Sequence, residues 1–125
     1  MTGQKPMKKI LVVDDEEAIR SLYKMELEEA GYQVETAATG SQAIKTIDIF
    51  HPDLVTLDIR LPDMSGLKVL GEIRKKAPTL PVILCSAYGE YKQDLTSWGS
   101  DAYIVKSSDL GAFLKTVRQL VEEKG

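Results

Sequence analysis

The chain has 125 residues, a formal net charge of -3, 43% hydrophobic and 28% charged residues. That length suits one domain with a real core, and that balance excludes a disordered chain. The absence of a basic block argues against direct nucleic-acid binding, and no apolar run approaches a membrane span. The single cysteine excludes an internal disulfide and a CxxC metal site and leans toward a reducing compartment. The first nine residues carry lysines but no apolar stretch, so they do not read as a secretory signal, and a cytoplasmic location is the default expectation.

Apolar runs and helical patterns alternate along the chain. Ile10-Leu11-Val12-Val13 predicts a first strand; Ile19, Tyr23, Leu27 and Ala30 then share one helical face, and Gly31 stops that helix. Val34, Ala37 and Ala38 form a weaker, more alternating run, as expected of an edge strand. Ala43, Ile44 and Ile47 mark a second helix, with Pro52 just beyond it. Leu54-Val55-Thr56-Leu57 predicts a third strand, followed by a helix on Leu67, Leu70, Ile73 and Ala77 that Pro78 ends. Val82-Ile83-Leu84-Cys85 predicts a fourth strand, and Tyr91, Leu95 and Trp98 a short fourth helix ended by Gly99. Tyr103-Ile104-Val105 predicts the fifth strand; Leu110, Phe113, Leu114, Val117 and Val121 give the clearest amphipathic face.

Four of the five strand runs are nearly continuous, the pattern of strands covered on both faces. Short connections and right-handed crossovers then give an α/β fold: a parallel sheet with helices on both sides. A single domain over residues 1–125 is expected, with its core over about 7–122.

In such sheets the chemistry gathers at the carboxyl ends of the strands. Asp14 and Asp15 follow the first run, Asp58 the third, Ser86 the fourth and Lys106 the fifth. Three converging carboxylates repel one another and call for a cation. Hard oxygen donors suit Mg2+, and one divalent ion with Lys106 balances the three acids in charge. In that arrangement Asp58 is the nucleophile that takes a phosphoryl group as an acyl phosphate. The metal and Lys106 stabilise the transferring oxygens, and the Ser86 hydroxyl donates to one of them. A Gly-rich phosphate loop is absent after the first strand; Asp14-Asp15-Glu16-Glu17 stands there and would repel a bare phosphate.

Read singly, these residues have plainer explanations. Asp14 and Asp15 could cap the first helix, Asp58 could be a turn residue, and Lys106 a solvated loop lysine. Cys85 reads as a small core hydrophobe, and His51, before Pro52, as a surface or capping residue rather than a phosphorylation site. Tyr91, Leu95 and Trp98 read as the packed face of the fourth helix, or as partner surface if that face is left open.

Taken in order, four motifs resemble the receiver domain of two-component response regulators. They are Ile10-Leu11-Val12-Val13-Asp14-Asp15-Glu16; Pro52-Asp53-Leu54-Val55-Thr56-Leu57-Asp58 with Leu61-Pro62-Asp63-Met64-Ser65-Gly66; Ser86-Ala87-Tyr88-Gly89; and Gly99-Ser100-Asp101-Ala102-Tyr103-Ile104-Val105-Lys106. The resemblance implies a five-stranded sheet in the order 2-1-3-4-5. It implies that Asp58 accepts phosphate from a histidine kinase or phosphotransfer protein. It implies Mg2+ held by Asp14, Asp15, Asp58 and the backbone carbonyl of Arg60, and Lys106 on the phosphoryl group. Ser86 and Tyr103 would be the switch pair, and Arg60 and Tyr88 would tune hydrolysis. The domain would catalyse its own phosphorylation and slow dephosphorylation without being a conventional enzyme. A downstream target would read the face made by the fourth helix, fifth strand and last helix, with the chain a monomer or a phosphorylation-dependent dimer.

One position departs from the family pattern: Ser107 follows Lys106 where proline is usual. A non-proline cis bond costs about 2.5–4 kcal/mol, so either a trans bond with a shifted loop or a strained cis bond is expected. Two other readings of function stay open. The chain could be a receiver cut from a longer regulator with a DNA-binding or enzymatic output domain. A magnesium-dependent aspartyl phosphatase would want an acid two residues after the nucleophile, where this chain has Arg60.

Overall fold

The computed structural model describes residues 7–87, 99–106 and 110–124, with side chains to 122. Five parallel strands form one sheet in the order β2-β1-β3-β4-β5. They are β1 (Lys9–Val13), β2 (Gln33–Ala37), β3 (Leu54–Asp58), β4 (Val82–Ser86) and β5 (Ala102–Val105). Helices α1 (Glu17–Glu29), α2 (Gly40–Phe50) and α3 (Gly66–Lys76) join the first four, and α4 (Leu110–Lys124) follows β5. The expected helix on Tyr91, Leu95 and Trp98 lies outside the described residues, as do Tyr88 and the Lys106-Ser107 step.

The continuous apolar runs make sense because the sheet is covered twice. Leu11, Val13, Val55, Leu57, Val82 and Leu84 point to a core with Ala43 and Ile47 of α2 and Val69, Leu70 and Ile73 of α3. Their neighbours Ile10, Val12, Leu54, Ile83 and Cys85 point to a second core with Tyr23 and Leu27 of α1 and Phe113, Val117 and Val121 of α4. The rings of Tyr23 and Phe113 stack there at 4.5 Å between centroids. Cys85 is buried in that core, and burial pushes its thiol up to about 12, so it is an inert core side chain.

Two expectations need correcting. β5 is only half-buried along its length, because it is the second sheet edge and pairs with β4 alone. Ala30 is exposed at the C-cap of α1, past the last turn that Leu27 buries. The other helix ends follow local chemistry. Gly31 has φ +101. His51 closes α2 in the left-handed region at φ 52, its N–H donating to the Ile47 carbonyl. Arg74 of α3 fastens the far side of the sheet: its guanidinium donates to the carbonyls of Gly99 and Leu80 and to the Asp101 carboxylate. Asp101 also accepts the Val82 N–H, so the entries to β4 and β5 are held together.

Two glycines on α3 have opposite requirements. A Cβ on Gly66 would overlap the Asp58 carbonyl oxygen, whereas one on Gly71 meets nothing within 4 Å. Gly66→Ala should therefore lower stability by about 1–3 kcal/mol, as overpacking does. Gly71→Ala should raise it by about 0.5–1 kcal/mol, as alanine does in a helix interior. Urea unfolding of the two variants checks both signs.

Candidate functional site

The register of the sheet decides what meets at its carboxyl edge. Val13 pairs with Leu57, so the next residues of those chains, Asp14 and Asp58, emerge side by side. Asp58 pairs with Cys85, and Ser86 with Val105, so Ser86 and Lys106 end the adjoining strands one step further on. Asp14 and Asp58 are 2% and 4% exposed, which is rare for carboxylates without a partner, and Ser86 is 2% exposed.

The partner is Lys106. Its Nζ lies 2.7 Å from Asp14 Oδ2 and 3.0 Å from Asp58 Oδ2, with Glu16 Oε1 at 3.6 Å. The second oxygen of each buried acid is held by backbone. Asp14 Oδ1 accepts the Glu16 N–H at 2.9 Å, and Asp58 Oδ1 accepts the Arg60 N–H at 3.1 Å. The Lys106 N–H donates to the Ser86 carbonyl at 2.8 Å, which aims the lysine from the end of β5. Asp14 is therefore not a helix cap: α1 starts after Glu16, which caps it with no side-chain bond.

Burial pushes the Asp58 carboxyl above its usual range, although hydrogen bonds from Lys106 and the Arg60 N–H pull the other way. Burial would lower the Lys106 ammonium, but its hydrogen bonds to Asp14 and Asp58 outweigh that and raise it. Lys106 is thus held as a cation. Asp58 sits beside it in a desolvated place where its charge is poorly solvated.

Asp15 and Glu16 are exposed above this pair, and oxygens of Asp14, Asp15 and Glu16 lie within 4.8 Å of one another. A cavity of about 240 Å³ opens beside them, lined by Asp15, Glu16, Asp58, Arg60, Ser86, Ala87 and Lys106. This all-oxygen donor set fits a hard divalent cation. Glu16 is the addition to the expected acids; its signal was the acidic run after β1, and only the turn brings it to Asp14. Asp58, in contrast, is turned toward Lys106.

Arg60 lies exposed at the cavity wall, and Tyr103 is half-buried on β5, packed against the core under α2 and α3. Two further residues had no role in the sequence reading. Arg20 of α1 donates from Nη1 to the Asp14 carbonyl at 2.8 Å. Asp63 reaches from the loop after β3 to the start of α2. Neither sits at a strand end, so strand-end reading does not find them.

A sequence model described as the response regulator receiver domain matches residues 10–118. The chain is 42% identical over 101 residues to the probable transcriptional regulator ycf27 of Cyanophora paradoxa, covering 79% of this chain and 42% of that protein. It is 39% identical over 103 residues to the chemotaxis protein CheY of Listeria monocytogenes, covering 80% of this chain and 87% of that one. The chain thus spans half or less of the length of the transcriptional regulators it matches first. Among solved structures, response regulator TrrA of Thermotoga maritima in complex with Mg(2+)-BeF superposes with a TM-score of 0.86 at 49% identity, covering 91% of this chain and 99% of that one. A five-stranded 2-1-3-4-5 sheet, buried acids under a strand-end lysine and these matches agree: the chain belongs to the response regulator receiver domain family.

Proposed function

We propose that this chain is a phosphorylation-controlled signalling module whose input is Asp58. The observation that carries this is the pair of buried strand-end carboxylates, Asp14 and Asp58, bridged by one buried ammonium. Such an arrangement is costly to build and has no need of two acids unless a cation and a phosphoryl group are to be handled there.

A Asp58 carboxylate oxygen attacks phosphorus of a phosphohistidine donor on a histidine kinase or phosphotransfer protein. A P–O bond forms, the P–N bond breaks, and the imidazole leaves with its electron pair. The Arg60 N–H fixes Oδ1, so Oδ2 is the oxygen Lys106 must share or release. Lys106 then has an ammonium within reach of the incoming phosphoryl oxygens. When bound, Mg2+ held by Asp14, Asp15, Asp58 and the Arg60 carbonyl, with Glu16 beside them, would supply the remaining positive charge. That the Thermotoga maritima relative is in complex with Mg(2+)-BeF supports Mg2+ as the ion.

Ser86, buried at the cavity floor, is the group to approach the new phosphoryl group, and Tyr103, half-buried on β5, the side chain to repack behind it. The surface around β5 and α4 would then change for a downstream partner. Arg60 and Tyr88 would tune how long the phosphoryl group lasts, with hydrolysis slow and catalysed by the domain itself. Because the chain matches half or less of several transcriptional regulators, an output domain such as a DNA-binding one is a second reading. Sequence of the gene beyond residue 125 decides between the two. A cytoplasmic site of action fits a kinase donor; among the described residues no helix is long and apolar enough to cross a membrane.

Incubation with acetyl phosphate and Mg2+ should add one phosphoryl group by intact mass. Asp58→Asn or EDTA should abolish it, and retained labelling in Asp58→Asn would move the acceptor elsewhere. The raised Asp58 carboxyl gives a second expectation for the metal-free protein. Its folded-state pKa lies above the unfolded 3.8, so the folded protein loses stability as pH rises through that window. Asp58→Asn keeps an oxygen for Lys106 and removes the charge. At neutral pH without metal its thermal midpoint should exceed that of the wild type. Added Mg2+ should narrow the gap by stabilising only the wild type. A variant that melts below the metal-free wild type at neutral pH would contradict this account.

A further inference from the structure

Asp63 lies at the tip of the loop between β3 and α3 and touches none of the reacting groups. Its Oδ1 accepts the Gly40 N–H at 2.8 Å; its Oδ2 accepts the Ser41 N–H at 3.0 Å and the Ser41 hydroxyl at 2.8 Å. These donors are the open N-terminus of α2, where a carboxylate is favoured. The bonds, led by that from Gly40, hold the Asp63 carboxyl below its usual range. α2 does not need Asp63 as its ordinary cap. Thr39 already caps it by accepting the Gln42 N–H at 3.1 Å, and Gln42 returns the bond to the Ala38 N–H at 2.8 Å.

The loop itself is stiff. Arg60 and Ser65 form an antiparallel bridge across its neck, and the Gly66 N–H donates to the Ile59 carbonyl at 2.7 Å. Met64 fills the space over Gly40, where a Cβ would meet its Cγ at 2.5 Å. A pull at Asp63 is therefore felt at Arg60, whose N–H orients Asp58. The other end of the contact also leads to the site, because the Ala37 carbonyl, three residues before Gly40, accepts the Asp14 N–H at 3.1 Å. Backbone and hydrogen bonds thus form a continuous path: Asp14, Ala37, Gly40, Asp63, Arg60, Asp58. Lys106 bridges its two ends.

We infer that Asp63 is a positioning residue that fixes the separation of Asp14 and Asp58 and the aim of the Arg60 carbonyl, and so sets the affinity of the site for Mg2+. The inference rests on the function proposed above, and its failure is separable from failure of that reading. Outer partners that hold metal ligands in place carry a large share of metal affinity.

The test is an amide-resonance titration of the full chain with Mg2+, alongside labelling by acetyl phosphate. Asp63→Ala should weaken Mg2+ binding on the order of tenfold. It should slow labelling at low Mg2+, with the rate recovered at saturating Mg2+. Asp63→Asn, which keeps one oxygen for the Gly40 N–H, should fall between. Thr39→Ala removes the cap of the same helix without touching the loop; it should lower the melting temperature and leave Mg2+ affinity unchanged. The Arg60 amide resonance of the metal-free protein should move in Asp63→Ala and stay put in Thr39→Ala. Wild-type Mg2+ affinity in Asp63→Ala, or an equal loss in both variants, overturns the inference. If Asp63→Ala does not fold, Ser41→Ala removes one of the three bonds, and an unchanged Mg2+ affinity there overturns it instead. Wild-type protein that neither takes up Mg2+ nor becomes labelled defeats the parent reading, a result visible before any variant is made.

Discussion

Everything at the carboxyl edge of this sheet depends on one ammonium between two buried carboxylates. Lys106 reaches Asp14 and Asp58 at 2.7 and 3.0 Å, and without it the ends of β1 and β3 would present two desolvated like charges to each other. Removing one partner of such a group is far costlier than never building it. The lysine is therefore a structural counter-ion, and in the proposed function it would also contact the phosphoryl group. Those two duties would compete, since a bond given to an incoming phosphoryl oxygen would be one taken from Asp58. That competition would couple the proposed chemistry to the end of β5, because Lys106 is the first residue after the strand that carries Tyr103.

The fold supports this by keeping its strand ends level. Parallel pairing in register puts Val13 beside Leu57 and Ser86 beside Val105, so residues far apart in the chain arrive at one place without long loops. Short loops then do the fine aiming. Each buried acid has one oxygen given to a backbone N–H two residues ahead in the chain, Glu16 for Asp14 and Arg60 for Asp58. Backbone donors of this kind cannot swing away, so the two acids keep one oxygen fixed and one available.

Much of this was legible in the sequence. Strand runs were readable because a sheet covered twice leaves no polar face, and the run of Asp58 ends on a charge that such burial cannot leave alone. Strand ends gave Asp14, Asp58, Ser86 and Lys106 for the same reason. What was not legible depends on tertiary distance. The place of Glu16 in the acid cluster is set by the turn after β1, and that of Arg20 by the α1 helix returning over Asp14. Asp63 carried no readable role because its partners, Gly40 and Ser41, are more than twenty residues earlier in the chain. The half-burial of β5 was missed because its run is as apolar as that of a central strand, and an edge position is a property of pairing rather than of composition.

Tyr103 sits against the core beneath α2 and α3, while its neighbours Ala102 and Ile104 face the core beneath α1 and α4. Among the described residues, the sheet backbone separates two apolar volumes that share no side chains. Tyr103 and the stacked Tyr23 and Phe113 therefore pack in different compartments, so the rearrangement proposed for Tyr103 would leave that stack in place.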